Sequence, residues 1–183
     1  HLAQLVGPSG EVTAWDIERT PDLAAGGFQT VAAKLWLRQD PEWCSRKIIH
    51  LLEKPTGDMF WMFPVTAVAF LDRGQLTAEA RGKLRDTWRT FLPYPGATEN
   101  HWLLYYATLY LMSQQWPNEP GDRWYTGKSS SESFAEARDY IDSWIDLTVT
   151  KGQGEYDCTH YIGVYLLPLS YLAAWSDDPR MRE

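Results

Sequence analysis

Nearly every long segment of the chain spaces its apolar residues three or four positions apart, as helices do, and period-two alternation is scarce. The predicted helices are of two kinds. Amphipathic helices, with charged residues along one face, are predicted over 41–54, 77–91 and 131–150. Helices that are apolar on nearly every side are predicted over 59–71, 101–113 and 160–175, and an earlier helix over about 22–38 precedes them all.

The two kinds of helix alternate along the chain, and this alternation predicts the fold. A helix that is apolar on every side is expected to be buried on every side, and an amphipathic helix can shield it from water. Three successive pairs of this type indicate an all-α fold, a partial (α/α) toroid in which inner apolar helices lie inside outer amphipathic ones. A plain bundle is the simpler alternative, but it does not explain the regular alternation. We therefore expect residues 1–183 to form a single domain of this kind.

The N-terminal ends of the inner helices would meet at one face of such a toroid, because all the inner helices run in the same direction. Polar and aromatic side chains stand at all three predicted ends, in "GDMFW", "TENHW" and "GEYDCTHY". The residues expected to border a shared cleft are Asp58, Trp61, Glu99, Asn100, His101, Trp102, Glu155, Tyr156, Asp157, His160 and Tyr161.

The chemistry of this set favours one class of reaction. Helix N-termini carry partial positive charge and free N–H groups, so a cleft ringed by them attracts anions such as a carboxylate. Asn can donate to that carboxylate, His can accept a proton near neutral pH, and Tyr can give or take one. Such a set suits removal of a proton next to a carboxylate, followed by departure of a group from the neighbouring carbon. This reaction is a β-elimination.

Two segments of the chain also resemble a known family. Asn100 and His101 open one apolar helix, and "THYIGVYLLPLSYLAAW" opens a later one with His160 and Tyr161 at its head. These segments resemble the α/α-toroid polysaccharide lyases, in particular the alginate lyases of that fold. Those enzymes have an Asn-Asn-His at the start of an inner helix and a Tyr-His-Asn-Tyr segment before a helix with a Leu-Pro-Leu pattern. The resemblance covers residues 98–175, with Glu99 in place of the first Asn and no arginine before the tyrosine segment.

The resemblance implies a secreted or periplasmic enzyme that cleaves an acidic, uronate-containing polysaccharide without a metal or other cofactor. By the same resemblance, Asn100 would neutralise the uronate carboxylate and His101 would remove the C5 proton. Tyr161, or alternatively Tyr156, would protonate the leaving oxygen, and His160 is a further catalytic candidate at the same helix end.

Other residues are candidates for contacts with sugar rings. Trp61, Trp102, Tyr105 and Glu155 lie at or near the predicted helix ends, and Tyr105 follows His101 by one turn. The long connection over 114–133 adds Arg123 and Trp124 as weaker candidates, because it starts at the opposite end of an inner helix.

Several of these residues have structural interpretations as well. Asn100 suits a helix cap, Glu99 suits a first-turn charge that complements the helix dipole, and a lone histidine such as His101 is more often a hydrogen-bonded structural residue. Two other functions therefore stay open. One is a glycoside hydrolase with carboxylates among Asp58, Glu155 and Asp157. The other is a non-catalytic carbohydrate-binding or scaffold fragment.

Composition and charge limit the classes of partner that the chain is expected to bind. The formal net charge is −7 and no run of Lys or Arg occurs, which argues against a nucleic-acid partner. No segment reaches the roughly 18 apolar residues of a membrane span. Ten Trp and ten Tyr suit a carbohydrate groove as well as a core.

Cys44 and Cys158 are expected to be free, mostly buried thiols, without a zinc site.

The two ends of the sequence suggest a longer or processed protein. The chain begins at His1 without Met, and "DDPRMRE" reads like the opening turn of a further helix, with Asp as the cap and Pro at the first position. We therefore expect other segments of the same protein to be among its partners.

Overall fold

The computed structural model describes residues 27–155 and 159–183, with the side chains of residues 159 and 160 outside the description. Within these ranges the chain is helical and forms no strand, and its only extended pairing is a single bridge between Asp58 and Tyr94. The prediction of an all-α protein is therefore confirmed for the described part of the chain.

Eight helices are described, and they follow the predicted order. They are α1 (Gly27–Leu37), α2 (Pro41–Leu51), α3 (Met59–Leu71), α4 (Ala78–Thr90), α5 (Glu99–Gln115), α6 (Ser130–Lys151), α7 (Thr159–Trp175) and α8 (Pro179–Arg182). The start of the earliest predicted helix, 22–26, lies outside the described residues. The second helix ends three residues before its predicted end, and α5 begins two residues before its predicted start.

Side-chain caps explain where three of these helices begin. The Thr77 hydroxyl accepts a hydrogen bond from the Ala80 N–H at the start of α4. Ser129 and Glu132 form a reciprocal capping box at the start of α6, which begins at Ser130, one residue before its predicted start. Asp178 caps α8, which has Pro179 in its first turn, so the helix start predicted in "DDPRMRE" is confirmed.

The chain divides into two compact units. The described part of the first consists of residues 27–56 and Pro64–Phe91, and that of the second consists of Gly57–Phe63 and Leu92–Glu183 without 156–158. The division falls inside α3, between Phe63 and Pro64. The toroidal arrangement of helices and the single domain stay predictions.

The first unit has an apolar core between α1, α2 and α4. In this unit α2 packs against both α1 and α4, and its fully buried side chains include Phe28, Leu35, Ile48, Leu84 and Trp88. The Cys44 thiol is free and buried in this core, as expected, and burial raises its pKa to about 11. Cys158 lies outside the described residues.

The second unit is organised around α5, which packs against both α6 and α7. Leu103 of α5, Trp144 of α6 and Tyr165 of α7 form a buried cluster, which fixes the three helices against one another at the N-terminal end of α5. Toward the other end of α5, the hydroxyls of Tyr110 and Ser176 lie 3.0 Å apart, within hydrogen-bonding distance. The residues between these two contacts make α5 a buried scaffold for the groups at its first turn.

Helix α7 departs from its prediction. Its apolar sequence predicted burial on every side, but one face is exposed and carries Tyr161, Ile162, Leu166 and Leu167. The prediction of complete burial was wrong for this helix, because α5 covers only the side that carries Tyr165. No helix in the described part of the chain is long and apolar enough to cross a membrane.

Candidate functional site

Two glutamates tie the first turn of α5 to the segment that precedes α7. Glu99 Oε2 accepts hydrogen bonds from the backbone N–H groups of Gly154 at 2.5 Å and Glu155 at 3.2 Å. In return, Glu155 Oε2 accepts from the backbone N–H of Asn100 at 3.2 Å. Glu99 therefore satisfies two backbone donors in the segment before α7, and Glu155 satisfies the backbone donor of the residue after Glu99. The approach is so close that a Cβ on Gly154 would lie 2.7 Å from Glu99 Oε2.

Tyr165 bridges these two carboxylates. Its hydroxyl lies 2.5 Å from Glu155 Oε2 and 3.2 Å from Glu99 Oε2, and its side chain comes from the buried face of α7. Burial raises the pKa of Tyr165 strongly, and the hydrogen bond to Glu155 and the charges of both glutamates raise it further. The phenol therefore stays protonated and donates its one hydrogen to the carboxylates. We refer to Glu99, Asn100, Glu155 and Tyr165 as the carboxylate cluster.

Asn100 supplies the remaining donor of this cluster. It is 1% exposed, and its Nδ2 donates to Glu155 Oε2 at 2.7 Å and to Thr98 Oγ1 at 3.0 Å. Both amide hydrogens are thus engaged, and Oδ1 is buried without a hydrogen-bond partner among the described residues. Burial alone would raise the pKa of Glu155, but the hydrogen bonds from Tyr165 and Asn100 outweigh burial and lower it. Glu155 is therefore held as a carboxylate.

His101 lies beside this cluster with one ring nitrogen anchored. Its Nδ1 is 2.7 Å from Thr98 Oγ1, and its Nε2 is 3.9 Å from the Asp58 carboxylate. The side chain is 24% exposed, while that of Asp58 is 41% exposed. The ring is therefore mostly enclosed, fixed through Nδ1, and adjacent to a negative charge at Nε2.

Two neighbours fix the position of the His101 ring. Phe60 meets it edge-on, with ring centroids 4.9 Å apart and an interplanar angle of 89°. Gly96 has φ of 85°, and a Cβ there would lie 2.3 Å from the Cβ of His101. Glycine is therefore needed at this position for two reasons, the left-handed backbone and the space taken by the histidine.

An aromatic row extends from the same end of α5. The ring centroids of Trp102 and Tyr140 lie 6.2 Å apart, and the rings of Tyr106 and Tyr140 stack with their centroids 4.1 Å apart. Trp102 is partly exposed, whereas Tyr105 is half-buried and hydrogen-bonded to Tyr125. The part of this row open to a ligand is therefore the Trp102 ring.

The structure brings together five of the residues predicted to converge. The contacts above link Asp58, Glu99, Asn100, His101 and Glu155, although they come from three distant segments. Tyr161 is exposed on the first turn of α7, and no contact of it with His101 is observed. Tyr156 and Asp157, and the side chain of His160, lie outside the described residues.

The remaining residues predicted to contact sugars differ in how far their side chains are exposed to solvent. Trp61 is half-buried, and a Cβ on Gly57 would lie 3.1 Å from its Cβ. Arg123 is exposed, but Trp124 is only 4% exposed, which leaves no face of its ring open for stacking on a sugar.

Sequence reasoning missed Thr98 and Tyr165. Both could have been found by helical spacing, since Thr98 precedes His101 by three positions and Tyr165 follows Tyr161 by four. The described residues include no group of three or more His, Cys, Asp or Glu side chains that could hold a metal ion.

Comparisons with models of protein families, with curated proteins and with solved structures gave no significant match to this chain. A function is therefore inferred from the residues of the site.

Proposed function

We propose that the chain is part of a polysaccharide lyase that cleaves a uronate-containing polymer by β-elimination, with His101 as the base. His101 Nε2 takes the C5 proton, and the C–H electron pair forms a double bond between C4 and C5. The bond from C4 to the glycosidic oxygen then breaks, and that oxygen takes a proton from Tyr161, or alternatively from Tyr156. All the atoms come from the substrate and the side chains, so no cofactor is needed.

The observation that carries this proposal is the anchoring of His101. Its Nδ1 is fixed by Thr98, and its Nε2 lies next to the Asp58 carboxylate. A general base works best when its geometry is fixed beforehand and when the cation that it becomes is stabilised. The Asp58 carboxylate, 3.9 Å from Nε2, places a negative charge beside the nitrogen that takes up the proton.

The proposed contact of Asn100 with the substrate needs a rearrangement. Its Nδ2, its backbone N–H and the Tyr165 hydroxyl form a cradle for a carboxylate, and Glu155 fills it. A uronate carboxylate would therefore have to displace Glu155. On this proposal Glu155→Gln lowers the KM for the polymer, because the competing charge is gone. An unchanged or higher KM would instead limit Asn100 to holding Thr98 and Glu155 in place.

The hydrolase alternative is less well supported by the same cluster. An acid for glycoside hydrolysis must keep its proton near neutral pH, which requires a raised pKa. The hydrogen bonds from Tyr165 and Asn100 lower the pKa of Glu155 despite its burial, so this carboxylate is poorly suited to that role. A non-catalytic binding fragment is a second alternative, since a cluster with so many internal hydrogen bonds also serves stability.

A screen of the protein against alginate, glucuronan, hyaluronan and pectate tests these alternatives. β-Elimination leaves an unsaturated uronate that absorbs in the ultraviolet, whereas hydrolysis leaves only a new reducing end. We expect absorbance to rise with at least one polymer. New reducing ends without absorbance would favour the hydrolase, and binding without turnover would favour the non-catalytic alternative.

The proposed substrate also implies a place of action. A uronate polymer is an extracellular material, so we propose a secreted or periplasmic protein whose partner is an acidic polysaccharide or oligosaccharide rather than a nucleic acid or a membrane. Cell fractionation of the source organism, followed by detection of the protein, tests this proposal. Recovery in the cytoplasm alone would contradict it.

A further inference from the structure

Thr98 occupies the N-cap position of α5, yet its side chain does not cap the helix. At this position threonine ordinarily accepts a hydrogen bond from the backbone N–H of the second or third helical residue. Here the N–H of Asn100, the second residue, donates to Glu155 Oε2 instead. A residue 55 positions away thus accepts from this N–H, and the Thr98 hydroxyl makes no cap hydrogen bond of its own.

The Thr98 hydroxyl lies between two side chains. Asn100 Nδ2 donates to Thr98 Oγ1 at 3.0 Å, and His101 Nδ1 lies 2.7 Å from the same oxygen. A hydroxyl has two acceptor positions and one hydrogen. Because Thr98 is exposed, its own hydrogen can be donated to water. Both acceptor positions are then available, one for the Asn100 amide and one for a proton on Nδ1.

We propose that Thr98 is a positioning residue that accepts the Nδ1–H of His101 and so keeps the lone pair on Nε2. The use of that lone pair as a base rests on the proposed function, but the tautomer itself does not. The same hydrogen bond serves the neutral ring and the imidazolium, so the uptake of a proton at Nε2 leaves the anchor unchanged. In the opposite tautomer Thr98 would donate to Nδ1, and Nε2 would already carry a hydrogen.

Long-range ¹H–¹⁵N correlation spectra of the ¹⁵N-labelled full chain test this proposal, because they distinguish the two neutral tautomers of a histidine ring. The chain has four histidines, and a His101→Gln variant identifies the signals of His101. We expect the wild-type ring to carry its proton on Nδ1. A wild-type ring with the proton on Nε2 would overturn the proposal without any variant being needed.

Two substitutions at Thr98 and one elsewhere sharpen the test. Thr98→Val removes the acceptor, so we expect His101 to revert to a mixture of tautomers, while Thr98→Ser retains the Nδ1–H form. Thr77→Val removes a conventional helix cap in α4 and should leave the His101 signals unchanged. An unaltered tautomer in Thr98→Val would contradict the assignment of Thr98.

Activity provides an independent readout. On a polymer that the wild type cleaves, we expect Thr98→Val to lower kcat by roughly tenfold or more, with little change in KM, because a misoriented base affects the chemical step. Thr98→Ser should restore kcat. A raised KM with unchanged kcat would contradict a positioning role. If the wild type cleaves no polymer, the proposed function fails, and the tautomer measurement still decides the role of Thr98.

Discussion

Two of the described helices begin with a threonine at the N-cap, and the two threonines act differently. Thr77 accepts the N–H of Ala80 and so closes the first turn of α4. Thr98 leaves the first turn of α5 uncapped by its own side chain and contacts Asn100 and His101 instead. The same residue at the same helical position therefore serves stability in one place and the candidate site in the other.

The carboxylate cluster accompanies this difference. At α4 the N–H of the third helical residue, Ala80, donates to Thr77, whereas at α5 the N–H of the second helical residue, Asn100, donates to Glu155. A tertiary acceptor can satisfy a donor at a helix start that the local cap leaves open. In the second unit the segment before α7 supplies that acceptor to the first turn of α5.

We expect the largest loss of stability and activity from a substitution at Gly96, which lies against the His101 side chain. Gly96→Ala places a Cβ 2.3 Å from the His101 Cβ, at a residue with φ of 85°. Gly74→Ala is the matched control, since Gly74 has φ of 83° and nothing lies within 4 Å of an added Cβ. We expect urea denaturation to show a loss of about 1–2 kcal/mol for Gly74→Ala, from backbone strain alone, and a larger loss for Gly96→Ala.

The two glycine variants should also differ at the site. We expect Gly96→Ala to shift the His101 resonances and abolish activity, and Gly74→Ala to change neither. Equal losses of stability in the two variants, with unshifted His101 resonances in both, would show that Gly96 does not position the ring.

We expect a substitution at Glu155 to lower the stability of the fold by an intermediate amount that depends on pH. The folded-state pKa of Glu155 is lowered, so it stabilises the fold above its unfolded pKa of about 4.3, and this stabilisation is lost as the pH falls through the folded value. We therefore expect Glu155→Gln to be less stable than the wild type at pH 7, with the difference shrinking below about pH 4.3.

Thermal unfolding at several pH values measures this difference for Glu155→Gln. Asp122→Asn, in the exposed loop after α5, controls for the loss of one surface charge. A difference from the wild type that stays constant between neutral and acid pH would contradict the part of the account in which Tyr165 and Asn100 hold Glu155 as a carboxylate.

The smallest effect is expected at Thr77. Thr77→Val removes the hydrogen bond from the Ala80 N–H, and the loss of such a cap costs about 1 kcal/mol. The variant should retain wild-type activity, because this cap does not contact the candidate site. If the free energy of unfolding of Thr77→Val equals that of the wild type, Thr77 does not stabilise α4 as a cap, and the proposed difference between the two threonines is wrong.

The order of the helices was predictable because each one carries its own local pattern. The amphipathic spacing in α4 and α6 and the Asp178–Pro179 start of α8 are signals that neighbouring residues provide. The exposed face of α7 was not predictable. An apolar sequence indicates which faces a helix is able to bury, but it does not indicate which other elements pack against those faces. The start of α6 was predicted one residue too late, since several serines in a row offer equivalent caps.

The candidate site was predicted only in part. The proximity of Asp58, His101 and Glu155 followed from their shared place at the starts of apolar helices. Helical spacing places Thr98 near His101 and Tyr165 near Tyr161, but it does not show what each side chain binds. Tyr165 bridges Glu155 and Glu99, and Glu99 is 66 positions away in the sequence. Asn100, which donates to Thr98, also donates to Glu155, 55 positions away. These contacts depend on tertiary structure.

The most direct test of the central claim compares the wild type with His101→Gln on the polymer that gives the largest ultraviolet signal. We expect His101→Gln to lose activity by about a hundredfold or more, because it removes the general base. Its circular dichroism spectrum and thermal unfolding should match those of the wild type. A folded His101→Gln variant that forms the unsaturated product at the wild-type rate would contradict the account.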